Sequence, residues 1–208
     1  MHLKCLLLFA IALALAAGPQ TKPADPPAGT PKEALHSLNL AQRDGDAAAI
    51  RALFYSKDER GEQLVSAMAD YAAAFAQLHA AAEHAYGAEG AVILTGDVQA
   101  ESAKGLAAIE KATVTLDGNN ATVKYEGATD APIRLTKIDG RWKLPVSQLL
   151  DGTDEKAGEK GVKELLAEGQ IARTMAEEIT AGKYKEGANK AKEVWRSRLL
   201  APGKTEKK

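Results

Sequence analysis

The sequence predicts an α+β protein: helices packed on a curled antiparallel four-strand sheet, with two extra helices at the C-terminal end. Three observations carry this. Apolar residues recur at steps of three and four up to Tyr86, the spacing of one helix stripe. Between Lys111 and Val146 they alternate with polar residues, the period of strands with one wet face. From Val162 the helical period returns and runs to Leu199. Helices segregated from a run of strands belong to α+β folds, whereas a doubly wound sheet interleaves them.

Met1-His2-Leu3-Lys4 and the uncharged run from Cys5 to Ala17 have the make-up of a secretory signal peptide, residues 1–17. Ala14-Leu15-Ala16 supplies the small residues that signal peptidase accepts. Cleavage is therefore expected near Ala16 or Ala17, and the protein is expected to be exported, periplasmic or secreted. A retained anchor needs about 20 apolar residues, and this run ends sooner, at Gly18-Pro19. Cys5 precedes the run rather than following it as a lipidated cysteine would, so a mature chain has no cysteine, disulfide or thiolate ligand. Residues 18–30 hold four of the eight prolines and read as an extended linker.

The α+β domain is expected over residues 31–150. Thr30-Pro31-Lys32-Glu33 is a capping box with proline at the first helical position. It opens a helix facing Leu35, Leu38 and Ala41 inward and stopping at Asp44-Gly45. Asp46 caps a second helix with Ile50, Leu53 and Phe54 inside. Ser56-Lys57-Asp58-Glu59 repeats the box and opens the longest helix, whose stripe is Leu64, Met68, Tyr71, Phe75, Leu78 and Ala82; it is expected to end near Tyr86-Gly87. Residues 88–110 carry the weakest pattern. There Val92-Ile93-Leu94 reads as a short strand or a buried turn, and 106–110 as one helical turn.

Two hairpins come next. Ala112, Val114 and Leu116 share a face with Ala121, Val123 and Tyr125 across the turn Asp117-Gly118-Asn119-Asn120. Ile133–Ile138 and Arg141–Val146 flank Asp139-Gly140, which favours a type I′ turn because both central residues need positive φ. Pro145 cannot donate to a ladder, so the last strand lies at an edge or ends there. Residues 151–208 form a helical extension with a basic tail. One helix faces Val162, Leu165, Leu166, Ala172, Met175 and Ile179 inward and closes at Ala181-Gly182. A final one, about 186–200, faces Ala188, Ala191, Val194, Trp195 and Leu199 inward.

Thr30-Pro31-Lys32-Glu33-Ala34-Leu35, Arg43-Asp44-Gly45-Asp46-Ala47-Ala48-Ala49-Ile50 and the strand segments 117–123 and 139–144 resemble the nuclear transport factor two-like (NTF2-like, cystatin-like α+β cone) superfamily, as an exported bacterial member. The resemblance spans roughly residues 30–150 and rests on turn and cap chemistry, which specifies architecture and no activity. It implies a cone whose pocket holds a ligand. The two C-terminal helices depart from the minimal cone; they either close its mouth or extend a dimer face. Tyr71, Tyr125 and Trp142 are the ligand-binding candidates, with His79 and Tyr125 as candidate polar groups for isomerase or hydratase chemistry. Tyr71 and Tyr125 also read as core residues with hydroxyls at the boundary.

Other chemistry is sparse. His79 and His84 stand five apart, about 140° around a helix, and so do not make the zinc helix motif; His79 reads as a surface residue near Glu83. The stretch from Asp151 lacks the glycine of a calcium loop, since Lys156 occupies that position. Neither a metal nor a cofactor is expected. Apolar residues make up 45% of the chain and charged ones 26%, and without the signal peptide 26 basic residues face 28 acidic ones. Such a balance argues against nucleic acid as the partner. One asymmetry remains: from Lys183 to Lys208 nine basic residues face three acidic ones. The first expectation is thus an exported, non-catalytic domain that binds a small apolar ligand or a protein partner through its sheet, with a homodimer left open. The alternatives are an isomerase or hydratase type of enzyme, and attachment to an anionic surface through the basic C-terminal helix.

Overall fold

The computed structural model describes residues 29–128 and 131–200. The expected signal peptide, nearly all of the expected linker and the tail from residue 201 lie outside them. The fold is α+β, with a correction to the sheet: it is five-stranded, mixed and open rather than four-stranded and antiparallel.

Helix α1 (Pro31–Asp44) starts on the expected capping box. Thr30 Oγ1 accepts from the Glu33 amide at 3.3 Å, and the Glu33 carboxylate accepts from the Thr30 amide at 2.6 Å. Gly45 ends it at φ 67°, and a Cβ there would stand 2.4 Å from the Ala76 Cβ, so only glycine lets the turn rest on the next helix but one. Helix α2 (Ala47–Leu53) is capped by Asp46, which accepts from the Ala49 amide at 2.9 Å. Phe54 is not in α2 as its apolar spacing suggested. With Tyr55 it forms strand β1 (Phe54–Tyr55), which pairs in parallel with the last strand of the meander and supplies the fifth strand.

Helix α3 (Glu59–Thr95) is capped by Asp58, which accepts from the Gly61 amide at 2.7 Å; Ser56, the expected cap, instead donates to the Asp58 carbonyl at 2.8 Å. The expected stop at Gly87 is a break within the element, at φ 74° and ψ 177°, after which helix resumes to Thr95. His79 and Thr95, eight residues either side of Gly87, touch at 2.7 Å. A straight helix would hold them about 24 Å apart, so the second arm folds back on the first. Val92-Ile93-Leu94 is therefore helical, neither strand nor turn, because folding back buries Ala91 and Leu94 against the first arm. The expected single turn at 106–110 is the end of a 14-residue helix, α4 (Val98–Lys111), capped by Asp97.

The meander comprises β2 (Thr113–Asp117), β3 (Asn120–Lys124), β4 (Ile133–Ile138) and β5 (Arg141–Pro145), and the sheet order is β1-β5-β4-β3-β2. Asp139 (φ 50°) and Gly140 (φ 78°) both take positive φ, as a type I′ turn requires. β5 ends at Pro145, although it is not an edge strand. Beyond it the short helix α5 (Ser147–Leu150) brings Gln148 back to β4. Its side-chain oxygen accepts from the Arg134 amide at 2.9 Å and its nitrogen donates to the Arg134 carbonyl at 3.0 Å, replacing the ladder partner that β5 no longer offers.

Helices α6 (Glu155–Thr180) and α7 (Ala188–Leu200) pack along α3. Asp154 caps α6 through the Ala157 amide at 2.8 Å. Leu166, expected inside, is 44% exposed, since the inward stripe of α6 passes through Leu165 and Gly169 instead. One apolar cluster joins α1, α2, the first half of α3 and the sheet, reaching Leu165 of α6. A second joins the later part of α3 to Ala172, Met175 and Ile179 of α6 and Ala191 and Trp195 of α7.

Candidate functional site: the open face of the sheet

Strand alternation sorts the meander into two faces. Ala121, Val123, Leu135, Trp142 and Leu144 point to one side and are buried in the first cluster. Helices α1 and α2 contact the sheet on that side. The other side carries Thr113, Thr115 and Asp117 from β2, Asn120, Thr122 and Lys124 from β3, Arg134, Thr136 and Ile138 from β4, and Arg141, Lys143 and Pro145 from β5; all are exposed or half-buried. Register sets them in rows: Thr115, Thr122 and Arg134 in one, Asp117, Asn120, Thr136 and Lys143 in the next. Cross-strand neighbours stand about 5 Å apart, so the rows make a flat polar field. Within it Thr136 Oγ1 donates to Asn120 Oδ1 at 3.2 Å.

The charge of this face is lopsided. Lys124, Arg134, Arg141 and Lys143 share it with one strand carboxylate, Asp117, and Arg134 also reaches Asp151 at the end of α5. At its β1 end the face carries one aromatic strand residue, the half-buried Tyr55, beside Pro145. The arrangement can hold oxyanions or a negatively charged surface by hydrogen bonds from threonine hydroxyls and by cation attraction.

No protein-family model, curated protein or solved structure matches this chain.

The sequence-predicted site residues lie elsewhere. Tyr71 is buried in the first cluster, its ring 4.6 Å from that of Phe75; burial, with Glu168 adding to it, pushes its phenol well up. Tyr125 packs on the same cluster from the buried side of the sheet, and burial raises its phenol too. Trp142 is buried on that side under the Lys137 ammonium, 5.8 Å from the ring centroid. The register separates Trp142 from Tyr125. Trp142 pairs with Lys137, whose amide bonds to Asn119, and Asn119 is six residues from Tyr125 along β3. Six residues span about 20 Å of strand, so these two rings do not share one pocket.

His79 is not the surface residue expected: it is 7% exposed, its Nδ1 meeting Thr95 Oγ1 while that hydroxyl donates to the Ala91 carbonyl at 2.8 Å. Burial lowers its pKa, opposed in part by Glu83. The structure ties it to the fold-back of α3, not to Tyr125. Among the described residues, no three of His, Cys, Asp and Glu gather to hold a metal ion.

The basic C-terminal segment is in part committed to the fold. Glu178 of α6 accepts from Arg198 Nη1 and Nη2 at 2.8 and 3.0 Å, from Lys183 at 2.6 Å and from the buried Tyr184 hydroxyl, and Lys190 pairs with Glu193. Sequence reasoning misses the basic sheet face, although its signal is present. Thr122, Lys124, Arg134, Thr136, Arg141 and Lys143 are the outward positions of the same alternation that reveals the strands.

Proposed function

We propose that the chain is an exported, non-catalytic binding domain that lays the open face of its sheet against an anionic lipid surface. The observation that carries this is the one-sided cover of the sheet: helices bury the apolar face, and the opposite face stays open with four cations against Asp117 and the Asp151 that Arg134 reaches. A flat polar field suits a flat layer of phosphate headgroups. Nucleic acid fits less well, because single strands are held largely by stacking successive bases on aromatic rings, and the strands bring one such ring, the half-buried Tyr55, to this side. A small apolar ligand lacks support as well, since Tyr71 and Trp142 are core residues on the far side. Kinship with the NTF2-like superfamily belongs to the same proposal, supported by the helix pair, the long helix and the hairpins after them; the second helical cluster is a departure from it.

The test is co-sedimentation with vesicles of phosphatidylglycerol and phosphatidylcholine against phosphatidylcholine alone, at low and physiological salt. Each lysine near an anionic leaflet contributes about 1 kcal/mol. Reversing two (Lys124→Glu with Lys143→Glu) is expected to weaken binding by roughly 30-fold or more, and salt to do the same. Binding that survives this reversal but is lost on reversing Lys185 and Arg196 would transfer the role to the C-terminal helix and defeat the proposal.

A further inference from the structure

We propose that β2 is the seam of a symmetric dimer, in which two copies pair antiparallel about Val114 and join their sheets into one. β2 is an outer strand of the sheet order and, among the described residues, pairs only with β3. The ladder's parity shows which backbone groups it leaves over. The Lys137 amide donates to the Asn119 carbonyl at 2.7 Å, so Asn119, Ala121 and Val123 bond toward β4 and the residues between them bond toward β2. Thr113, Thr115 and Asp117 are their partners. The amides and carbonyls of Val114 and Leu116 therefore point outward from the sheet.

Natural edge strands are blunted by proline, lysine, bulges or a covering segment. Thr113-Val114-Thr115-Leu116 has none of these residues, and its two threonines and valine have high strand propensity. Leu116 is 62% exposed although it lies on the same side as the buried Ala121 and Leu135. It is the uncovered end of an apolar row.

Charge chooses the occupant and the register. With Val114 on the two-fold axis, Thr113 faces Thr115 of the second copy, Leu116 faces Ala112, and Asp117 comes beside the end of α4, whose last residue is Lys111, each contact occurring twice. Ala112 has extended backbone, φ −64° and ψ 143°; its amide is held by the Ile109 carbonyl at 3.1 Å, and its carbonyl is left to accept from Leu116 of the second copy. Lys111 and Asp117 are both exposed and form no ion pair among the described residues. The chain's own linker is a poorer occupant, because its four prolines lack the amide a ladder needs. The axis is perpendicular to the sheet, so the two open faces come to lie on the same side. This inference does not depend on what that face binds.

Sedimentation equilibrium of the purified chain over micromolar concentrations tests it, with far-UV circular dichroism and thermal midpoints confirming that each variant folds. The native chain is expected to dimerise reversibly. Lys111→Asp and Asp117→Lys, which set like charges opposite one another, are each expected to weaken the dimer about tenfold or more, and the double exchange to restore it to within about threefold. Leu116→Lys is expected to leave a folded monomer. A native chain that stays monomeric at about 100 µM overturns the proposal, and so does a dimer indifferent to all three single changes. Amide exchange separates the other occupant. Protection of Val114 and Leu116 in a monomer, lost on deleting residues 18–28, would put the linker on the edge and refute the dimer.

Discussion

Replacing Glu178 by glutamine removes the charge from the contact that locks α6 to α7, and its cost can be worked from the structure. Burial by itself pushes the Glu178 carboxyl up. The hydrogen bonds from Arg198, Lys183 and Tyr184 outweigh that and hold it at about 2, against an ordinary 4.5. At about 1.4 kcal/mol per pH unit, this separation corresponds to about 3 kcal/mol. The Glu178 side chain is 18% exposed, Arg198 30% and Lys183 55%, so solvent screens part of it and about 2 kcal/mol is expected. A carboxyl whose pKa is depressed on folding stabilises the fold above its unfolded pKa and loses that contribution as pH falls through the folded one. The native chain should therefore exceed Glu178→Gln by about 2 kcal/mol near neutrality, and the gap should close between about pH 4.5 and pH 2. Urea unfolding followed by circular dichroism across that range measures both quantities. A double-mutant cycle with Arg198→Met isolates the pair. A gap under about 0.5 kcal/mol at neutrality, the size of an ordinary exposed pair, or a gap that does not shrink in acid, would refute the reasoning.

Gly45→Ala forces a side chain into left-handed backbone against the Ala76 Cβ, and Gly87→Ala forces one into φ 74°, ψ 177°, a conformation essentially confined to glycine. Each is expected to lose about 1–3 kcal/mol in chemical denaturation, at Gly87 from backbone strain alone, since nothing stands within 4 Å of the added Cβ. Burial lowers the His79 pKa, against the Glu83 charge, so stability is full above the ordinary value of 6.5 and declines as pH falls from there toward the folded pKa. Replacing His79 with asparagine should flatten that decline, and proton NMR titration of the imidazole should show a midpoint below the ordinary one; a raised midpoint would contradict the burial. Gln148→Ala leaves the Arg134 amide and carbonyl without their ladder substitute. About 1 kcal/mol is expected, read as faster hydrogen exchange at Arg134, while unchanged exchange would show that the side chain does not serve the strand.

Elements whose signal is local are legible in the sequence. The capping box at Thr30, the Asp46 cap and the Asp139-Gly140 turn are chemistry among adjacent residues, and each appears where the sequence places it. The halt at Gly87 is readable too, but the helical arm beyond it is not, because a stretch such as Ala88–Thr95 turns a face inward only when another helix lies beside it. Phe54 reads as helical for a related reason: a two-residue strand has no periodicity, and only the parallel partner Leu144 makes it one. His79 stands four residues from Glu83, which suggests a loose surface pair, yet its partner Thr95 is sixteen residues away and adjacent only after the fold-back. The open sheet face lies in between. Its outward residues are countable from alternation, while their convergence into one basic field requires the register of four strands.

By itself the sequence determined the α+β class, the caps at Thr30 and Asp46, the Asp139-Gly140 turn and the two-faced character of the hairpins, since these follow from backbone preferences and side-chain period over a few residues. Tertiary structure alone decided the fifth strand, the reversal of α3, the Glu178–Arg198 lock and which face of the sheet stays open. Those depend on which surfaces come to exclude water from one another, and that competition among distant segments is not encoded in any short stretch of the chain.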